Sequence, residues 1–114
     1  MSEDAAGRVF AALADPTRRE LVRLLAEDGP CTATQLAVRL GVSRQAAAKH
    51  LAVLAVAGLA VRTRAGRESR AELRTEAFAE AEAWMRAIGA TWNLRLGALK
   101  ELLERPPLRV AERE

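Results

Sequence analysis

The stretch that decides the fold is Thr32-Ala33-Thr34-Gln35-Leu36-Ala37-Val38-Arg39-Leu40-Gly41-Val42-Ser43-Arg44-Gln45-Ala46-Ala47-Ala48-Lys49-His50-Leu51. It opens on a capping box: the Thr hydroxyl can accept from an early helical N–H while the Gln three positions on reaches back. A helix over 33–40 follows, with Leu36, Ala37 and Leu40 facing in. Gly41 stops it and permits a sharp reversal. Val42 packs the turn, and Ser43 is a new N-cap. The next helix runs from Arg44 to about Ala57, with Ala47, Leu51 and Leu54 as its core positions and Gly58 closing it. Helix, short turn, helix over 32–57 is the spacing of a helix-turn-helix.

Upstream, Val9, Phe10 and Leu13 share one helical face, so 7–14 reads as a short helix. Asp15-Pro16 pairs a strong N-cap with the residue favoured at the first helical position. A second helix therefore runs from Pro16 to about Glu27, with Leu21, Leu24 and Leu25 buried and Arg18, Arg19 and Arg23 on its wet side. Asp28-Gly29-Pro30 ends it.

Downstream the period changes from helical to alternating. Residues 59–74 read as a β-hairpin, with Ala65-Gly66-Arg67 as its turn and either Ser69, Ala71 and Leu73 or Ala71 and Leu73 alone inward. Arg62, Arg64, Arg67, Arg70 and Arg74 all sit on it. A hairpin that follows a helix-turn-helix is a wing. Thr75 then caps a last helix expected over 75–105, ended by Pro106-Pro107. Phe78, Ala81, Met85, Ile88, Trp92, Leu96, Leu99 and Leu103 form its apolar stripe, with Trp84 beside it. Gly89 and Gly97 interrupt that helix and mark a bend or a close backbone approach. The expected architecture is mainly α with a small β-hairpin wing, a winged helix-turn-helix in the order α-α-α-α-β-β-α. The 114 residues are read as one domain.

Charge sharpens the reading. Net charge is only +3, but residues 31–74 carry 8 basic and 2 acidic side chains. Such a local excess is an electrostatic footprint for a polyanion. Catalysis has little to work with: one cysteine (Cys31), one histidine (His50) and no glycine-rich phosphate loop. No nucleophile–base pair follows from that set, so no enzyme is expected. No apolar run is long enough to span a bilayer, and Met1-Ser2-Glu3-Asp4 lacks the basic and apolar regions of a signal peptide. A soluble cytoplasmic protein is the expectation.

Several separated motifs now fall in order. Ala11-Ala12-Leu13-Ala14-Asp15-Pro16-Thr17-Arg18-Arg19 resembles the "ALADPTRR" opening of ArsR/SmtB-type winged-helix transcriptional regulators. Leu40 to Leu51 resembles that family's "LGLSQPAVSKHL" segment, and Leu54, Ala57, Gly58 and Leu59 fit its entry to the wing. Trp92-Asn93-Leu94-Arg95-Leu96-Gly97-Ala98-Leu99 is similar to the tail of members that lack metal ligands. The likeness spans roughly residues 7–105.

The resemblance implies a homodimer on double-stranded DNA, binding an operator and usually acting as a repressor. It also implies metal sensing in the founding members, through a paired-cysteine motif on the third helix and Asp, His and Glu ligands on the last. This chain departs there: Cys31-Thr32-Ala33 offers one thiol and the last helix has no His, so no metal and no cofactor are expected.

Recognition helices place residues near their N-terminus against base edges. The expected DNA-binding set is Thr32, Thr34, Gln35, Ser43, Arg44, Gln45, Ala48, Lys49, His50, Arg64 and Arg67. Arg44 suits guanine and Gln45 adenine. Ala48 stands where the family commonly has a polar residue. Thr32 and Thr34 either cap a helix or also meet phosphate. His50 makes either a structural hydrogen bond or a phosphate contact. Arg62 and Arg70 are weaker candidates on the wing. Cys31 is structural or, beside a helix N-terminus, a redox sensor. Val9, Phe10, Leu13, Trp84, Ile88, Trp92, Leu96 and Leu99 exceed what a small winged helix covers, so the helices at 7–14 and 75–105 are expected to form a two-fold interface with an unknown inducer. The competing reading is a protein-docking winged helix with only non-specific DNA affinity.

Overall fold

The three helix starts that organise the chain are each closed by a side chain. Asp15 accepts from the N–H groups of Thr17 at 2.7 Å and Arg18 at 3.2 Å, with Pro16 in the first turn, and α2 (Pro16–Asp28) follows. Thr32 Oγ1 accepts from the Gln35 N–H at 3.1 Å, and Gln35 Oε1 accepts from the Thr32 N–H at 2.8 Å. This reciprocal box opens α3 (Ala33–Leu40). Ser43 Oγ accepts from the Ala46 N–H at 3.0 Å and opens α4 (Arg44–Val56). Between the last two helices Gly41 has φ 71° and ψ 32°, the left-handed region where a Cβ is costly. The computed structural model describes residues 4–104. Before these elements comes α1 (Asp4–Ala12); after them come β2 (Ala60–Ala65), β3 (Glu68–Leu73) and α5 (Glu76–Glu104).

One element lies outside the expected order: β1 (Cys31–Thr32) pairs antiparallel with β3, Cys31 opposite Ala71 and Thr32 opposite Arg70. The sheet order is β1-β3-β2, so the hairpin is the larger part of a three-stranded sheet. Two residues carry no detectable alternation, which is why the strand leaves no periodic trace. The first helix also differs from the 7–14 expectation. It ends at Ala12 because Leu13 and Ala14 form the turn into the Asp15 cap. The end expected for the last helix at Arg105 and Pro106-Pro107 falls outside the described residues.

The chain divides into two units, residues 1–83 and 84–114. In the first, Val9, Leu21, Leu24, Leu36, Leu51, Leu54 and Leu59 are fully buried, with Ala47 and Ala71 where backbones approach closely. Ala81 is buried there, and Ala77 and Phe78 pack partly on the same core. Val9 is 1% exposed, which corrects its assignment to a dimer face: its side chain is used inside the protomer. Leu13 packs partly against that core as well. The second unit, described to Glu104, is the remainder of α5. Its Ile88, Trp92, Leu96 and Leu99 are 42–55% exposed and step by 4, 4 and 3. A Cβ placed on Gly89 or Gly97 would meet nothing within 4 Å, and both lie inside the helix, so neither marks a close approach within the described residues.

Arg19 lies on the exposed face of α2 as expected, whereas Arg18 is half-buried, and both close the end of α1. Arg18 Nε donates to Ala12 O at 2.6 Å and Arg19 Nη1 to Leu13 O at 2.8 Å and Ala14 O at 3.2 Å. These carbonyls have no intrahelical donor, so a guanidinium fork completes them.

Desolvation disfavours the charged form of Asp15, but the N–H bonds from Arg18 and Thr17 and the charges of Arg18 and His50 outweigh it. The net effect holds its pKa below the usual carboxylate value. A depressed folded-state pKa contributes stability above the unfolded value, and that contribution is lost as pH falls through the folded one. Denaturant titrations between about pH 5 and pH 2 should therefore show a shallower acid loss in Asp15→Asn, which still caps, than in the wild type. Equal slopes would assign the acid sensitivity elsewhere.

Candidate nucleic-acid interface

The starts of α3 and α4 and the wing enclose a cleft of about 460 Å³. Its walls are Thr32, Ala33, Thr34 and Gln35 from the start of α3, Arg44 from the start of α4, and Arg62, Arg64, Arg67, Glu68 and Ser69 from the wing. The strand pairing explains how the wing points there. Arg62 lies opposite Ala71 and Arg64 opposite Ser69, so both share the face that carries Ala60, Ala71 and Leu73 into the core. Further out, where the core ends, the same face presents arginine. Two residues on, Gly66 has φ 64° in the turn, which lets the tip reverse and bring Arg67 round.

Ion pairing sorts the arginines. Arg23 is held by Glu20 and Glu27, Arg39 by Asp28, and Arg70 by Glu68 at 2.9 Å. The Arg23 contact holds Glu20 below its usual pKa and raises that of Arg23. Arg44, Arg62, Arg64 and Arg67 make no ion pair with a described residue, and they share one cleft. Two helix N-termini open beside them, each with a partial positive charge and N–H groups directed outward. Chemically the arrangement is a cationic trough for oxyanions spaced along a chain.

Of the expected DNA-binding residues, the cleft gathers Thr32, Thr34, Gln35, Arg44, Arg64 and Arg67. Thr32 and Gln35 direct side-chain atoms into the capping box. Ser43 likewise caps, and Gln45 and Lys49 are exposed along α4 outside the cleft walls. Ala48 is half-buried on that helix. Of the two alternatives for His50, the structure shows a polar contact: its Nδ1 lies 3.5 Å from Arg18 Nη1. Arg62, a weaker wing candidate, also lines the cleft. Its signal was present, because Ala60, Arg62 and Arg64 alternate with Val61 and Thr63 and must share a face. Arg70 sits on the opposite face, beside Pro30, Thr63, Ala65 and Glu72.

The Cys31 thiol is buried, and its Sγ lies 3.3 Å from Gly29 O. Desolvation pushes its pKa up and Asp28 adds to that, against smaller opposing effects of Arg39 and Arg70. Burial and a raised pKa both count toward the structural alternative for Cys31. The donor set does not fit a soft-metal site: the sequence holds one Cys and one His, the Cys bonds a carbonyl and the His faces Arg18. Among the described residues no group of three His, Cys, Asp or Glu is placed to hold a metal.

A helix-turn-helix with a paired wing, and a cationic trough across both, define a winged-helix DNA-binding regulator. Residues 13–64 match the helix-turn-helix domain family model. The chain is 46% identical over 82 residues to the HTH-type transcriptional regulator CmtR of Mycobacterium tuberculosis, covering 71% of this chain and 68% of that one. The NMR structure of that regulator is described as a cadmium metal-sensor, with 48% identity over 59% of this chain and 68% of that one, TM-score 0.50. An ArsR-like transcriptional regulator from Rhodococcus sp. RHA1 superposes with TM-score 0.79 at 39% identity over 90% of this chain and 96% of that one. A homodimeric winged helix-turn-helix DNA-binding domain from Mycobacterium bovis superposes with TM-score 0.62 at 25% identity, over 79% and 88%. The chain belongs to the ArsR/SmtB-type family of winged helix-turn-helix transcriptional regulators. No helix among the described residues is long and apolar enough to cross a membrane.

Proposed function

We propose that this chain is a cytoplasmic homodimeric repressor that reads a palindromic operator. The observation that carries the reading is the trough of Arg44, Arg62, Arg64 and Arg67 at the starts of α3 and α4. In it, α4 enters the major groove with Arg44 bidentate to guanine and Gln45 to adenine, the pairings their geometry favours. Lys49 and Ser43 follow the groove edge. The N-terminus of α3, with Thr34, takes a phosphate. Arg64 and Arg67 at the wing tip reach backbone or minor groove, and Arg62 holds the phosphate nearest α4.

The dimer rests on Ile88, Trp92, Leu96 and Leu99 of α5, four half-exposed apolar side chains on one helical stripe. Phe10 of α1, Leu13 just after it, and Trp84 on α5 are further proposed contacts, and the M. bovis relative is described as homodimeric. A two-fold axis sets two recognition helices about 34 Å apart, one turn of DNA. Dissociation of the dimer would therefore lower operator affinity by removing one half-site per binding event.

Selection from a random duplex pool at stated salt should enrich an inverted repeat with half-sites about 10 base pairs apart, or a small multiple. Salt-sensitive binding with no enriched sequence would instead support a docking module. Arg44→Ala with Gln45→Ala should abolish the preference for that repeat while leaving the dimer intact; surviving preference moves base readout off α4. In salt titrations, Arg62→Ala should lower the slope of log K against log salt by about 1, whereas Arg70→Ala, already paired with Glu68, should leave it unchanged. Trp92→Glu should sediment as a monomer, and an unchanged dimer would remove α5 from the interface.

A further inference from the structure

Arg18 lies on α2, away from the cationic trough, yet three of its nitrogens face three different segments. Its Nε donates to Ala12 O at 2.6 Å and its Nη2 to Ala11 O at 3.4 Å, both at the C-terminal end of α1. Its Nη1 lies 3.9 Å from Asp15 Oδ2 and 3.5 Å from Nδ1 of His50 on α4. The side chain is only 17% exposed. A guanidinium can only donate, so any hydrogen bond across this 3.5 Å contact uses Nδ1 as the acceptor.

Beside this cluster runs an apolar groove of about 450 Å³, with Ala11 and Ala12 of α1 on one wall and Ala52, Val53 and Val56 of α4 on the other. Val9 and Ala12 of α1 share the buried core with Leu51 and Leu54 of α4, while the short side chains lining this open groove interdigitate little beyond it. Arg18 lines the same groove and supplies a directional polar tie across it.

We infer that Arg18 is a positioning residue for sequence readout: its guanidinium fastens the C-terminal end of α1 to His50 and thereby sets how α4 presents Arg44 and Gln45. The inference rests on the reading of α4 as the recognition helix. His50 lies six positions beyond Arg44 on one rigid helix, about 9 Å along its axis at 1.5 Å per residue. A small rotation at His50 therefore displaces the base-reading end, while phosphate attraction, which is less directional, changes little.

The test compares affinity for the selected operator duplex with affinity for a random duplex of the same length, at one salt concentration, using the full chain. Arg18→Lys keeps the charge but loses the fork that reaches α1 and His50 together. His50→Ala removes the acceptor. Each should lower the operator-to-random ratio about tenfold, the worth of one charge-assisted bond, with random-duplex affinity nearly unchanged in Arg18→Lys. The double variant should lose no more than the stronger single one, because both act through one contact. A purely structural Arg18 would lower the melting temperature and leave the ratio unchanged, and losses that simply add would assign the two residues separate roles; either result overturns the inference. If the wild type itself shows no operator preference, the recognition-helix reading fails first and carries this one with it.

Discussion

Thr32 is bound in two directions, and the geometry of the trough depends on both. As the last residue of β1 it pairs with Arg70 of β3, which fixes the wing to the segment before α3. As the N-cap of α3 it exchanges hydrogen bonds with Gln35, which fixes the direction in which that helix departs. One residue thus welds sheet to helix with no flexible linker between them. The wing arginines and the N-terminus of α3 consequently share a frame. Gly41 adds α4 to the same frame by turning the chain within three residues, and Ala47 and Leu51 hold the angle by burial against the core. Sequence changes in the surrounding core would alter stability, whereas changes at Thr32 or Gly41 would alter the relative placement of the charged groups.

The arginines on this frame have three different duties, and net charge distinguishes none of them. Arg18 and Arg19 complete backbone carbonyls left over at the end of α1. Arg23, Arg39 and Arg70 are engaged with carboxylates on the surface, contacts that contribute little to stability in high dielectric but do neutralise the cation locally. Arg44, Arg62, Arg64 and Arg67 make no ion pair with a described residue and face one cleft. Polyanion attraction depends on this last group, because paired cations release fewer counterions on binding. The excess of basic residues over 31–74 coincides with the cleft but overstates the number of unpaired cations there.

Much of this was legible in the sequence because it depends on short-range rules. Asp15-Pro16, Thr32 with Gln35, Gly41 and Ser43 each act within four residues, and each cap stands where its residue type predicts. The buried leucines of α2 and α4 follow helical period. What escaped reading depends on contacts distant in sequence or on elements too short to show a period. β1 has two residues and is defined only by its partner 40 positions away. Arg18 reads as a surface cation until the end of α1 is placed over it. Val9 lies on the same helical face as Phe10 and Leu13, and only the packing of α1 on the core decides which of them turns inward. Arg62 was readable from alternation alone, but its value appears only once α3 stands opposite.

The family scaffold and a soft-metal donor set are separable, and this chain's residues do not match such a set. The M. tuberculosis relative, 46% identical over 82 residues, is described as a cadmium metal-sensor. Cadmium, like other soft cations, is selected by several thiolate or imidazole donors converging on one point. This chain has one thiol, buried with its pKa pushed up by desolvation and its Sγ 3.3 Å from Gly29 O, and one imidazole, 3.5 Å from Arg18 Nη1. Neither donor is available on the terms that a soft metal requires, and one chain cannot supply a set of them. The winged-helix frame is shared with that relative, while its donor chemistry is not matched by the residues of this chain, as expected where function resides in sites placed on a common fold. In this chain the helix bearing Phe10 and the helix bearing Arg44 meet in the apolar core through Val9, Ala12, Leu51 and Leu54, and Arg18 adds polar contacts to the end of α1 and to His50 beside that packing.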